Sequence, residues 1–153
     1  MKVGHRASPV LPCACASLRR AARAVTQLYD EALRAGGLRA TQFTLLQVLD
    51  RRGELTQGEL GDLLVIDSTT LTRTLGPLAS RGLLRARPGK DRRERIWSIT
   101  PAGKRRLAGL MSAWEGAQKR LRDQLGENHW SHLLSDLAVV SGAASSAAEA
   151  DRA

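Results

Sequence analysis

Residues Asp67 to Gly103 read DSTTLTRTLGPLASRGLLRARPGKDRRERIWSITPAG. Asp67 or Ser68 is placed to cap a helix whose inward seam is Leu71, Leu75 and Leu78. At about 100° per residue, Thr69, Thr72, Arg73, Gly76 and Ser80 fall on the opposite side. That face has no acid and no large apolar residue, whereas a solvated face normally carries Glu and Lys that pair along the helix. Pro77 removes a hydrogen bond to the carbonyl of Arg73 and predicts a bend or an early end. After Gly82, Leu83–Arg87 and Arg93–Ile99 read as two strands around the turn Pro88-Gly89-Lys90-Asp91, with Trp97 and Ile99 on one face. The tip of this hairpin is basic: Lys90, Arg92, Arg93 and Arg95. Thr100-Pro101 then opens another helix, with Thr as cap and Pro at the first helical position.

Between Arg81 and Arg106 there are ten Lys/Arg and two acids, Asp91 and Glu94, in a chain whose formal net charge is +9. The positive field therefore sits on one element, and the rest of the chain is almost neutral. A field that local, beside a helix face of small hydroxyls, points to a nucleic-acid docking surface. Threonine suits such a face, because its hydroxyl bonds to bases or phosphates and its methyl packs on a thymine methyl.

Working outward, 153 residues suffice for one domain with a real core. Aromatics make up only 3%, so the core is built from Leu, Ala and Val, which favours helix. No run of about 18 apolar residues predicts a membrane span. Pro9–Ala16 is too brief and too broken by proline for a signal peptide, so a cytoplasmic location is expected. Residues 1–13 read as a mobile arm. From Ala14, the positions Leu18, Ala21, Ala22, Val25, Leu28, Tyr29 and Ala32 carry helical spacing up to a stop at Gly36-Gly37. Thr41 is expected to cap a second helix with Phe43, Leu45, Leu46, Val48 and Leu49 inside. Glu54-Leu55 reads as a very short strand, and Thr56-Gln57-Gly58-Glu59 as a capping box opening a third, short helix. The helix from Pro101 carries Leu107, Leu110, Met111, Trp114, Ala117, Leu121 and Leu125. It is roughly 37 Å long, more than one small core needs. Gly126 breaks it, and a sixth helix follows with Trp130, Leu133, Leu134, Leu137 and Val140. The Ala/Ser-rich residues 142–153 read as a flexible tail. The expected fold is mainly α with a small β-hairpin wing: a winged helix-turn-helix region over 36–100, and a helical dimerisation region over 14–35 and 101–141.

The chain resembles the MarR (multiple-antibiotic-resistance regulator) family of winged helix-turn-helix repressors. The matching residues are Thr56-Gln57-Gly58-Glu59-Leu60, Asp67-Ser68-Thr69-Thr70-Leu71-Thr72-Arg73, Arg81-Gly82-Leu83, Asp91-Arg92-Arg93 and Ile99-Thr100-Pro101-Ala102-Gly103. The resemblance implies a homodimer joined through its first, fifth and sixth helices, bound to a pseudo-palindromic operator in double-stranded DNA. It implies that Arg93 enters the minor groove with Asp91 positioning it, and that Ser68, Thr69, Thr70, Thr72 and Arg73 lie at the major groove. Two recognition helices would then sit roughly 34 Å apart to meet successive grooves.

Members of the family usually release DNA when something binds or oxidises them, and two candidates for that step are visible. One is a small-molecule effector pocket with Tyr29, Phe43, Leu46, Met111 and Trp114 as walls. The other is a thiol. Cys15 lies at the start of the first helix, where the helix dipole favours thiolate, with Arg19 and Arg20 one turn on. Registered on Tyr29 and Gln42, Cys15 falls where the organic hydroperoxide resistance repressors, a branch of the family, carry their reactive cysteine. Tyr29 matches one of that branch's thiol-binding tyrosines, and the others stand here as Arg19 and Ala40. A resolving thiol would be Cys13, its counterpart in the other subunit, or a small thiol. His5, Cys13 and Cys15 supply at most three soft ligands, and His129 with His132 need ligands from elsewhere, so no metal and no cofactor are expected. No nucleophile–base pair or phosphate loop points to an enzyme. The rival reading is a basic protein that coats nucleic acid without sequence preference. That reading calls for Lys and Arg on the helix face that instead carries threonines and a glycine.

Overall fold

The computed structural model of the chain describes residues 12–91 and 94–150. Six helices and three strands follow in the order α1 (Ala14–Leu33), α2 (Ala40–Arg52), β1 (Leu55–Thr56), α3 (Gln57–Leu64), α4 (Ser68–Ser80), β2 (Leu84–Pro88), β3 (Arg95–Ile99), α5 (Pro101–Leu125) and α6 (Glu127–Ala150). A 3₁₀ turn, Arg34–Gly36, closes α1. This is the mainly α architecture with a wing that the sequence predicts. Residues up to Trp114 form one compact unit and those from Glu115 a second, the division falling within α5. No helix among the described residues is long and apolar enough to cross a membrane.

The core of the first unit is leucine-built. Leu33, Leu45, Leu46, Leu60, Leu71, Leu75 and Leu78 have no exposed surface, and Phe43 and Leu49 are nearly as deep. Leu71, Leu75 and Leu78 form the seam expected of α4. Their burial on both sides of Pro77 holds the helix through the proline to Ser80, so the early end does not occur. The β1–β3–β2 sheet is antiparallel, with Trp97 of the central strand opposite Leu55 on one side and Ala86 on the other. The two-residue strand β1 is thus the third member of the wing sheet, tying its base to the start of α3.

Four boundaries differ from the sequence reading. The slightest is β1, which runs Leu55–Thr56 and not Glu54-Leu55, because its pairing to β3 sets Leu55 opposite Trp97 and Thr56 opposite Ile96. Arg39, not Thr41, stands at the N-cap of α2. The reason is tertiary: the Asp30 carboxylate of α1 accepts from Ala40 N–H at 2.7 Å, and Gln42 Oε1 accepts from Arg39 N–H at 3.1 Å. The wing strands begin later, because Leu83 belongs to the junction after α4. Its N–H donates to the Leu78 carbonyl at 2.9 Å, and its own carbonyl accepts from Thr100 N–H at 3.1 Å. Finally, the tail expected over 142–153 continues α6 as far as Ala150. Its alanines are the strongest helix formers, and they carry the helix past Gly142. Residues 151–153, the arm up to Leu11, and Arg92 and Arg93 lie outside the described residues.

Thr100 caps α5 as expected, its Oγ1 accepting from Gly103 N–H at 3.0 Å. A Cβ on Gly103 would overlap the Leu83 carbonyl oxygen, so only glycine lets the first turn of α5 approach the base of the wing. Gly126 separates α5 from α6 at φ 79°, a left-handed conformation that a side chain would strain.

Candidate nucleic-acid interface

The exposed face of α4 is presented by its N-terminal turns. The Asp67 carboxylate caps the helix, accepting from Thr70 N–H at 2.9 Å and from Thr70 Oγ1 at 2.6 Å. These bonds, the Thr70 hydroxyl first, hold the Asp67 carboxyl below the usual carboxylate range. Three of the four threonines have their hydroxyl protons engaged: Thr70 by Asp67, Thr72 by the Ser68 carbonyl at 2.8 Å and Thr74 by the Thr70 carbonyl at 2.9 Å. Ser68, Thr69 and Arg73 are exposed, and their side chains have no partner among the described residues. The predicted reading face therefore divides. Ser68, Thr69 and Arg73 have donors to offer a ligand, whereas Thr70 and Thr72 are tied to their own helix.

The wing stands beside this face. A groove of about 940 Å³ lies between them, lined by Ser68, Thr72 and Gly76 of α4, by Thr56, Gln57 and Gly58 at the start of α3, and by Asp91, Glu94, Arg95 and Trp97 of the wing. At the tip, Glu94 N–H donates to the Asp91 carbonyl and Gly89 N–H to the Glu94 carbonyl, both at 2.9 Å. Lys90 and Arg95 are exposed with no side-chain partner among the described residues. Arg85 and Arg87, by contrast, are engaged within the fold. Arg85 Nε donates to Ser98 Oγ at 2.9 Å, and Arg87 pairs with Glu54 at 2.5 Å, which lowers the Glu54 carboxyl from its usual range and raises Arg87. The base of the wing is thus held by its own cations, whereas, among the described residues, Lys90 and Arg95 of the tip are left for a partner. Arg92 and Arg93 lie outside the described residues.

The wing and α4 meet through a residue that the sequence reading credited only with a place in the capping box. Gln57 Nε2 donates to Thr72 Oγ1 at 2.8 Å, and Gln57 Oε1 accepts from Trp97 Nε1 at 3.4 Å. The signal for it was Trp97 itself, since a buried indole N–H needs an acceptor. The capping box is formed as predicted, with Glu59 N–H donating to Thr56 Oγ1 at 3.1 Å and Thr56 N–H to Glu59 at 2.7 Å. The Thr56 backbone N–H and then its hydroxyl lower the Glu59 carboxyl.

Comparison with known proteins bears on this arrangement. The sequence profile of the MarR family matches residues 36–94, which run from the end of α1 through the wing tip. The transcriptional regulator MosR of M. tuberculosis, solved in complex with DNA, is 36% identical to this chain. The match covers 88% of this chain and 97% of MosR, with a TM-score of 0.79. The chain belongs to the MarR family. The C80S mutant of E. coli MarR, solved with operator DNA, shares the fold at 23% identity and a TM-score of 0.73, covering 82% of this chain and 91% of that one. A curated relative, the uncharacterised HTH-type transcriptional regulator YwoH of Bacillus subtilis, is 31% identical over 83 residues, 54% of this chain. That match spans 61% of YwoH's own length.

Outside the winged region, this MarR-family chain distributes the other predicted residues differently from one another. Phe43 and Leu46 are closed core, and the Trp114 ring stacks on Phe43 with centroids 6.0 Å apart and planes at 25°. Met111 packs partly against the same core and lines a small cavity of about 280 Å³ with Gln47, Asp50, Arg51, Lys104, Leu107 and Ala108. Tyr29 is half-buried, and burial raises its phenol above the usual range. Cys13 stands at the N-cap of α1 and Cys15 in its first turn; both are free thiols and both are exposed. Among the described residues, no group of His, Cys, Asp and Glu is arranged to hold a metal ion.

Proposed function

We propose that the chain is a cytoplasmic, homodimeric transcriptional regulator that binds a pseudo-palindromic operator in double-stranded DNA and acts as a repressor. The observation that carries the reading is the contrast between the two sides of the groove. An acid-free α4 face, with Ser68, Thr69 and Arg73 exposed, stands beside a wing tip where Lys90 and Arg95 have no side-chain partner among the described residues. Base edges are read by short polar side chains and Arg, and phosphates are held by long cations. MosR and MarR, two structures similar to this chain, were solved with DNA. Arg93, steadied by Asp91, is the residue proposed for the minor groove, with Arg92 beside it. The dimer is supported by apolar surface: Leu18 of α1 and Leu134, Leu137, Val139 and Val140 of α6 are exposed in the single chain. The test is a gel shift on the chain's own promoter and on random duplex at several salt concentrations. Preference for the promoter is expected, and equal affinity at every salt concentration overturns the reading in favour of a coating protein.

For release from DNA, the exposure of both thiols favours oxidation over a ligand pocket, because Phe43 and Leu46 are occupied in the core. The chemistry is attack of the Cys15 thiolate on a hydroperoxide oxygen, giving sulfenic acid and releasing an alcohol or water. Condensation with a second thiol then gives a disulfide and water. Cys15→Ser is expected to retain DNA binding and lose peroxide-induced release in the same gel shift. If the wild-type complex ignores organic and inorganic peroxides alike, a small effector takes the place of the thiol.

A further inference from the structure

We infer that Gln57 is a positioning residue for sequence reading, and that Thr72 meets its base through a methyl group and not a hydroxyl. The inference rests on the DNA-binding reading of α4. The amide of Gln57 has only one workable orientation. The indole of Trp97 can only donate, so Oε1 must face it at 3.4 Å, and Nε2 must face Thr72 Oγ1 at 2.8 Å. The hydroxyl of Thr72 then accepts from Gln57 and gives its single proton to the Ser68 carbonyl at 2.8 Å. It has no proton left for thymine O4, guanine O6 or guanine N7, all of which need one. With Oγ1 turned onto Gln57 and Ser68, the branch of this exposed side chain left for a ligand is Cγ2. Thymine is the base that offers the major groove an apolar group. Trp97 is itself buried in β3, paired with β1 and β2, so the chain of bonds ties the position of Thr72 to the wing sheet.

The experiment selects an operator from a random duplex pool with the full-length protein, then replaces each thymine in turn with deoxyuridine, which lacks only the methyl. Wild-type binding is expected to fall about fourfold at one thymine per half-site, the worth of one buried methyl group. Thr72→Val keeps the methyl and is expected to keep that discrimination, while Thr72→Ser loses it. Gln57→Ala leaves Thr72 Oγ1 held by Ser68 alone and is expected to relax preference at the same base pair. Gln57→Glu keeps an acceptor for Trp97 but has no N–H for Thr72 Oγ1, and is expected to relax the preference as Gln57→Ala does. The reverse pattern, with Ser retaining the preference and Val losing it, means that the hydroxyl reads adenine or cytosine and overturns the inference. So does an operator indifferent to every thymine methyl, or a Gln57→Ala effect at a base pair that Thr72 variants leave alone. A pool that yields no preferred sequence overturns the DNA-reading proposal itself, and this inference with it. Circular-dichroism melts of the four variants separate these outcomes from loss of fold.

Discussion

Asp67 shows how a single carboxylate serves both the fold and the site. It caps α4 with two bonds to Thr70, and the same bonds depress its carboxyl. A depressed folded value means that stability is present above the unfolded value and is lost as pH falls through the folded one. The loss therefore falls below about pH 4. Asn caps a helix as well as Asp but does not titrate. Melting temperatures measured from neutral pH down to acid should fall more steeply for the wild type than for Asp67→Asn, and parallel curves would show that the cap is not charge-dependent. The wing cations divide in a comparable way. Arg95 has no partner among the described residues and Arg87 is paired with Glu54. Arg95→Ala should lower the slope of log affinity against log salt by about one, and Arg87→Ala should leave it unchanged. Equal slopes for the two variants would remove the distinction between tip and base.

At the scale of elements, the turn between α3 and α4 contains a local conflict. Val65 ends α3 at φ 51°, ψ 48°. Left-handed backbone is costly for a β-branched residue, roughly 1–2 kcal/mol. The residue is 74% exposed, so little packing offsets that cost. Asn tolerates the conformation. Val65→Asn is expected to stabilise the protein by about 1 kcal/mol, raising the melting temperature by roughly 2–4 °C. A melt that is unchanged or lower would mean that Val65 makes a compensating contact in the working assembly. The elements around this turn follow from local chemistry. The Thr56–Glu59 box, the Leu71–Leu75–Leu78 seam and the Thr100-Pro101 start are all where spacing and capping residues put them. The cap of α2 was not legible, because the group that holds Ala40 N–H is Asp30, on another helix.

Across the whole molecule, apolar surface is distributed unevenly. The core of the first unit is closed, yet α6 leaves Leu134, Leu137, Val139 and Val140 exposed at 58%, 40%, 70% and 43%. Leu134, Leu137 and Val140, three residues apart in turn, lie along one side of the helix and mark a face awaiting a partner, and the proposed partner is a second copy. Leu137→Glu should shift the protein from dimer to monomer in light scattering and lower its melting temperature. An unchanged mass would move the dimer contact away from α6. The site shows the same dependence on scale. The charge of the wing and the small polar face of α4 could be read residue by residue. Which of these groups are free for DNA could not, because that depends on Glu54, Ser98 and Gln57, each distant in sequence from the group it engages.

The sequence by itself determined the helices, their order, the wing and the segregation of charge. Apolar periodicity, caps and breakers act within a few residues of one another. The tertiary structure decided which hydroxyls and guanidinium groups are already satisfied. A donor's availability depends on what lies within about 3 Å of it, and only the folded chain brings Trp97, Gln57 and Thr72 into one line of hydrogen bonds.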